Sequence, residues 1–170
     1  MNKIGLAVLI LLWFCRAPLD AAETEAFFSP EESIKEIILR EVGTASSTID
    51  LAIFEITSSD LGRALLNAKQ RGVKVRIVTD SNHAKSKSSQ VTYLIRAGIP
   101  VKVLGGGKKG VMNHRFVILD GTRVMTGSYA WSETAEKWNY ENVLFLKEGE
   151  AVAAYQKEFE RLWREKRIIK

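Results

Sequence analysis

The chain has 170 residues, 46% of them apolar, with 25 Lys and Arg against 20 Asp and Glu for a formal net charge of +5. That length fits one domain. The apolar fraction fills one core without metals or disulfides, which sets aside a disordered or disulfide-stapled chain. The basic balance leans toward anionic partners, although the series Lys157, Glu158, Glu160, Arg161, Arg164, Glu165 mixes its signs as a solvated helix face does.

In chain order, Lys3 precedes an apolar run from Ile4 to Cys15, and the small residues Ala21 and Ala22 come before an acidic stretch. This is the layout of a secretory signal peptide over residues 1–22, with residues 23–170 as a single domain in the periplasm or outside the cell. An uncleaved N-terminal anchor is the other reading. Trp13 and Phe14 are bulky where a lipid-modified Cys15 would need small neighbours. Cys15 is the one cysteine, so the chain without its leader has no thiol for a disulfide or a nucleophile.

Ser29-Pro30-Glu31-Glu32 reads as a helix start, with Ser29 as cap, Pro30 in the first position and Glu32 closing a capping box. Ile34, Ile37, Ile38 and Val42 follow at helical spacing. A strand is predicted from about Thr48 to Ile56. A helix carrying Leu61, Leu65 and Ala68 comes next, capped by Ser59 or Asp60 and stopped by Gly72. Val73 to Thr79 alternates apolar and basic residues as a half-buried strand does. A helix over about Ser89–Ala97 stops at Gly98, and Val101–Leu104 is a further strand. Val111–Leu119 and Arg123–Thr126 flank Asp120-Gly121, a hairpin signal. Glu141–Leu146 reads as the last strand. Val152, Tyr155, Phe159, Leu162 and Trp163 form one stripe on a closing helix. The fold class expected is α/β to α+β, a mixed sheet flanked by helices.

The loop Gly105-Gly106-Gly107-Lys108-Lys109-Gly110 offers backbone N–H groups and Lys109 to an anion. It lacks the Gly-Lys-Ser/Thr ending of a P-loop and leads into a strand, so a connector is the simpler reading. His83 follows Asp80-Ser81-Asn82 in a polar loop after a strand. It reads either as a solvated loop histidine or as a residue bordering a site.

Asn113-His114-Arg115-Phe116-Val117-Ile118-Leu119-Asp120-Gly121, then Thr126-Gly127-Ser128-Tyr129-Ala130-Trp131-Ser132, then Asn139-Tyr140-Glu141-Asn142 carry the sharpest signal. The arrangement resembles the His-x-Lys-x4-Asp signature, trailing Gly-Ser element and Glu-Asn pair of the phospholipase D superfamily. Its single-motif bacterial nucleases and mitochondrial cardiolipin hydrolase-like members are the most similar. Phe28-Ser29-Pro30, the stretch from Ala64 to Arg76, Ala97-Gly98-Ile99-Pro100-Val101 and Glu158-Phe159-Glu160-Arg161-Leu162-Trp163 look like that family too, so the resemblance covers nearly the whole chain after the leader.

The resemblance implies a phospholipase D-like fold and a phosphodiester hydrolase. In that mechanism one His forms a phosphohistidine, a second His protonates the leaving oxygen, a Lys steadies the phosphoryl oxygens, and no metal or other cofactor is needed. One motif per chain implies a homodimer that pools two. The substrate would be single- or double-stranded nucleic acid or a phospholipid. Three positions depart from the pattern: Asn113 stands at the nucleophilic His, Arg115 at the Lys and Ala130 at a usual Asn.

An amide neither attacks phosphorus nor shuttles a proton near neutral pH, so His114, Arg115 and Asp120 are the expected catalytic group. Asn113, Ser128, Glu141 and Lys109 are the expected substrate contacts. In a regular strand His114 faces away from Arg115, and a β-bulge would turn it back. Trp131, Trp138, Tyr129 and Tyr140 read either as core or as platforms for bases or lipid. Two functions remain open: an exported, metal-independent phosphodiesterase, or a pseudoenzyme that binds nucleic acid or anionic phospholipid.

Overall fold

In a computed structural model the described residues are 24–105, 110–147 and 149–166. The leader and Lys109 lie outside them. Seven strands form one mixed sheet in the order β1-β7-β6-β5-β2-β3-β4. They are β1 (Thr24–Ser29), β2 (Thr48–Ile53), β3 (Lys74–Asp80), β4 (Val101–Leu104), β5 (Arg115–Leu119), β6 (Arg123–Gly127) and β7 (Glu141–Leu146). β2, β3 and β4 run parallel, and the other neighbours are antiparallel.

Helices α1 (Ile34–Thr44) and α2 (Ser59–Gln70) pack on one face, over Ile49, Leu51, Ile53, Ile77, Val117 and Phe145. On the other face lies α6 (Gly149–Arg164), whose Val152, Phe159 and Leu162 meet Ala52, Val78, Phe116 and Ile118. The sorting follows strand alternation: Phe116 and Ile118 turn to α6, Val117 and Leu119 to α1 and α2. A charged tie adds to the apolar contact. Arg76 makes a two-pronged bond to Asp50 at 2.8 and 2.7 Å, reaches Glu160 of α6 at 2.7 Å and lies over the Phe159 ring.

The expected mixed sheet with flanking helices is the observed architecture. Gly72 and Gly98 end their helices at φ +94° and +77°, and Asp120 and Gly121 both take the left-handed backbone that a tight hairpin requires. Several details differ. The Ser29-Pro30 segment ends a strand instead of opening a helix, and the Ser29 hydroxyl is held by the Asn139 carbonyl and the Glu141 N–H. The cap of α1 is Ser33, which accepts from the Glu36 N–H. Capping-box logic located the right helix one turn early because Glu32 bonds back to the Phe28 N–H, closing the preceding turn.

β2 stops at Ile53, and Ile56 forms one parallel bridge with Trp131. Strand geometry before the hairpin begins only at Arg115. Short helix α3 (Ser81–Ala84) fills a stretch read as loop, and α5 (Glu133–Lys137) one for which no element is predicted. α4 spans Val91–Arg96.

Candidate active site at one edge of the sheet

The pairing register brings distant motifs into one row. Ser29 pairs with Glu141, Gly127 with Val143, Arg115 with Ile53, Thr79 also with Ile53, and Asp80 with Leu104. The end of β1, the start of β7, the end of β6, the start of β5 and the ends of β2, β3 and β4 therefore lie along one edge. Outside the carboxyl ends of parallel strands is where open α/β sheets place their ligand crevices.

Arg115 starts β5 and is half-buried. Its guanidinium lies 5.4 Å from the centre of the Phe54 ring, and its Nε is buried without a hydrogen-bond partner. Other arginines have carboxylate or carbonyl partners: Arg76 has Asp50 and Glu160, Arg123 has Glu25 and Glu41 although its Nε is likewise unpartnered, and the exposed Arg71 has the carbonyls of Val42 and Ala45. Among the described residues no carboxylate pairs with Arg115. A cation left without an anion at a sheet edge is a place for one from outside.

Beside it, the Ser128 hydroxyl donates a very short hydrogen bond to Glu141 Oε2 and accepts from the Asn142 N–H at 3.1 Å and its side-chain amide at 3.3 Å. Glu141 Oε1 accepts from the Asn139 amide at 2.8 Å. Only glycine fits at position 127, where a Cβ would stand 2.1 Å from the Asn142 carbonyl oxygen. That close approach seats Ser128 against Asn142. Ala130, at the usual Asn position, is buried and brings no side-chain polar atom. Asn113 is exposed, just after Met112, whose N–H is held by the buried Asp80 carboxylate at 2.9 Å.

The three residues expected to act together do not meet. His114 points to the α6 side, as alternation dictates: its Nε2 is 3.2 Å from Glu158 Oε1, and its ring stands edge-on to Phe116 at 5.4 Å. No bulge turns it toward Arg115, and at 43% side-chain exposure it is not buried either. Asp120 ends the same strand at the opposite edge, five residues from Arg115 and roughly 16 Å away at strand rise. Its carboxylate accepts from the N–H groups of Ser46, Ser47 and Thr48 and from both serine hydroxyls. Burial opposes its ionisation, yet these donors outweigh that and hold its carboxyl well below the ordinary range. It fastens the α1–β2 turn to the hairpin.

Ser128, Glu141, Asn113 and Arg115 do share the edge. Tyr129 and Trp131 are core, whereas Trp138 and Tyr140 are exposed there at 79% and 91%, with Phe28 nearby. Sequence reading overlooked Phe54, Glu55 and Asp80. Their strand-end positions were the available signal. Among the described residues no three His, Cys, Asp or Glu side chains cluster as a metal site requires.

Residues 38–163 match the family model described as "Cardiolipin synthase, PLD-like domain". The chain belongs to the phospholipase D-like family. It is 38% identical over 151 residues to the mitochondrial cardiolipin hydrolase of Xenopus laevis, covering 89% of this chain and 67% of that protein. It is 28% identical to a phospholipase D of Rickettsia conorii, over 91% of this chain and 76% of the other. Nuc from Salmonella typhimurium, a phospholipase D family member of known crystal structure, superposes with a TM-score of 0.76 at 26% identity, covering 84% of this chain and 94% of Nuc. Within this phospholipase D-like family the chain stands among hydrolases of phosphodiester bonds.

Proposed function

We propose that this protein hydrolyses phosphodiesters at the Arg115 edge of its sheet, without a metal, as an exported homodimer. The observation that carries the reading is Arg115, half-buried, stacked on Phe54 and unpaired beside the Ser128–Glu141–Asn142 network. Arg115 is the phosphate anchor, and its planar fork suits two phosphoryl oxygens at once. Ser128 and Asn113 contact the substrate, Glu141 holds Ser128, and Lys109 adds charge from the glycine-rich loop. Relatives named for cardiolipin hydrolysis and for phospholipase D activity support a phosphodiester of nucleic acid or phospholipid as substrate. One motif per chain supports pairing of two edges, and the exposed Phe28, Trp138 and Tyr140 supply apolar surface there. The leader supports export.

A second reading has its own observations. Asn113 and Ala130 replace the usual reactive groups, and His114 turns to Glu158, which favours a protein that binds a phosphodiester without cleaving it.

The test is hydrolysis of bis(4-nitrophenyl) phosphate, single-stranded DNA and cardiolipin-containing phosphatidylcholine vesicles by the full chain in excess EDTA. Turnover that falls on the order of 100-fold or more in Arg115→Ala is the expected result. Salt-sensitive binding with no turnover until Asn113→His supplies a nucleophile would establish the second reading.

A further inference from the structure

The motif position holds an amide and His114 faces α6, which leaves the site edge without an imidazole from the motif itself. The structure supplies one from elsewhere in the chain. Asp80, buried at the end of β3, caps the short α3 by accepting from the N–H groups of Asn82 and His83 at 2.9 and 3.4 Å, and this sets the backbone of His83. The His83 ring then packs on Phe54 with centroids 4.0 Å apart, and its Nδ1 lies 3.2 Å from Glu55 Oε2. Phe54 is the ring over which Arg115 sits. Imidazole and guanidinium thus share one aromatic neighbour, so their separation cannot exceed the two ring spacings together.

The pairing with Glu55 has a chemical consequence. A carboxylate on Nδ1 fixes the tautomer with the proton on that nitrogen, leaving the Nε2 lone pair free. It also stabilises the imidazolium formed when Nε2 takes up a proton. With 34% of its side chain exposed, His83 is reachable by substrate and water. His114 is paired in the same way with Glu158 through Nε2, but on the α6 side, where its ring meets Phe116 and not Phe54.

We infer that His83, oriented by Glu55, is the proton-transfer residue of this site and shares the substrate phosphate with Arg115. The step builds on the hydrolytic reading above. Nε2 accepts a proton from water as the water oxygen bonds to phosphorus. The ester P–O bond breaks, the departing oxygen is protonated by solvent, and the imidazolium returns its proton to solvent. The charged groups placed around His83 are Glu55 after β2, Asp80 at the end of β3, Arg115 of β5 and, two residues on in its own loop, Lys85.

The chain has only two histidines, so imidazole 15N–1H correlation spectra of the full protein resolve the question, with His83→Gln and His114→Gln giving the assignment. The probe is inorganic phosphate. Saturable shifts of the His83 resonances that vanish in Arg115→Ala are expected. Shifts confined to His114, or to neither ring, overturn the proposal.

Kinetics with bis(4-nitrophenyl) phosphate supply the second arm. His83→Gln lowers kcat by about 100-fold or more while KM moves little, and removes the acid limb of the pH profile. Glu55→Gln lowers kcat as well, because the imidazole loses the carboxylate that orients it. Full turnover in His83→Gln, or its loss in His114→Gln alone, overturns the proton-transfer role. A wild-type chain that hydrolyses nothing while phosphate still moves His83 overturns hydrolysis and its proton step together, and leaves the shared phosphate contact established.

Discussion

The two edges of the sheet are built on opposite rules. At the Asp120 edge the charges of Asp120 and Arg123 have partners inside the fold. Asp120 is wrapped by Ser46, Ser47 and Thr48, and Arg123 is clamped between Glu25 and Glu41 while lying over Phe145. At the Arg115 edge the cation has only an aromatic face, the amide of Asn113 is exposed, and Trp138 and Tyr140 stand in solvent. One edge spends its charges on stability, and the other leaves its arginine available. β5 spans the sheet between the two, which is why one nine-residue motif contributes to both edges.

Mutations should separate the edges by their effect on folding. The largest loss is expected from Arg123→Ala, which leaves the nearly buried Glu41 carboxylate with only the exposed Arg40, 3.4 Å away, and costs about 3 kcal/mol. Urea unfolding followed by tryptophan fluorescence measures it, and a loss under about 1 kcal/mol would erase the contrast. Next comes Asp120→Ala, about 2–3 kcal/mol from the loss of several bonds to one carboxylate.

This residue also sharpens the comparison through pH. Its carboxyl is held below the ordinary range in the folded protein, so its contribution is complete above the unfolded value of about 3.9 and drains away as pH falls beneath it. The wild-type unfolding midpoint should therefore fall more steeply than that of Asp120→Ala as acid is added below about pH 4. Parallel curves would remove the carboxylate from the account.

Much of this organisation is written locally. The helix stops at Gly72 and Gly98, the Asp120-Gly121 turn and the α6 stripe follow from backbone freedom and periodicity, and each is found. The direction of His114 was also legible, since alternation along β5 requires it to follow Phe116. What escaped were features fixed by distant partners. β1 was hidden because Ser29-Pro30-Glu31-Glu32 satisfies the local rules for a helix start, while the Ser29 hydroxyl is claimed by Asn139 and Glu141 more than a hundred residues away. Asp120 was grouped with Arg115 on the family motif alone, although the hairpin signal at Asp120-Gly121 already set it at the far end of that strand. The meeting of Glu55 with His83 is of the same kind as that of Ser29 with Glu141: parallel pairing of β2 and β3 sets their ends side by side, and neither local sequence betrays it.

The smallest expected change in stability is the most telling. Arg115→Ala removes a half-buried guanidinium that no carboxylate of the described residues depends on, so nothing is left stranded. The loss is its contact with Phe54, worth about 0.5–1 kcal/mol. The same charge removed at Arg123 costs several times more, although both arginines are partly buried and both lie over a phenylalanine ring. A residue whose removal spares the fold while abolishing salt-sensitive binding of single-stranded DNA is held there for something outside the chain. If Arg115→Ala unfolded as readily as Arg123→Ala, the Arg115 edge would serve the fold just as the Asp120 edge does, and the contrast between the two would be lost.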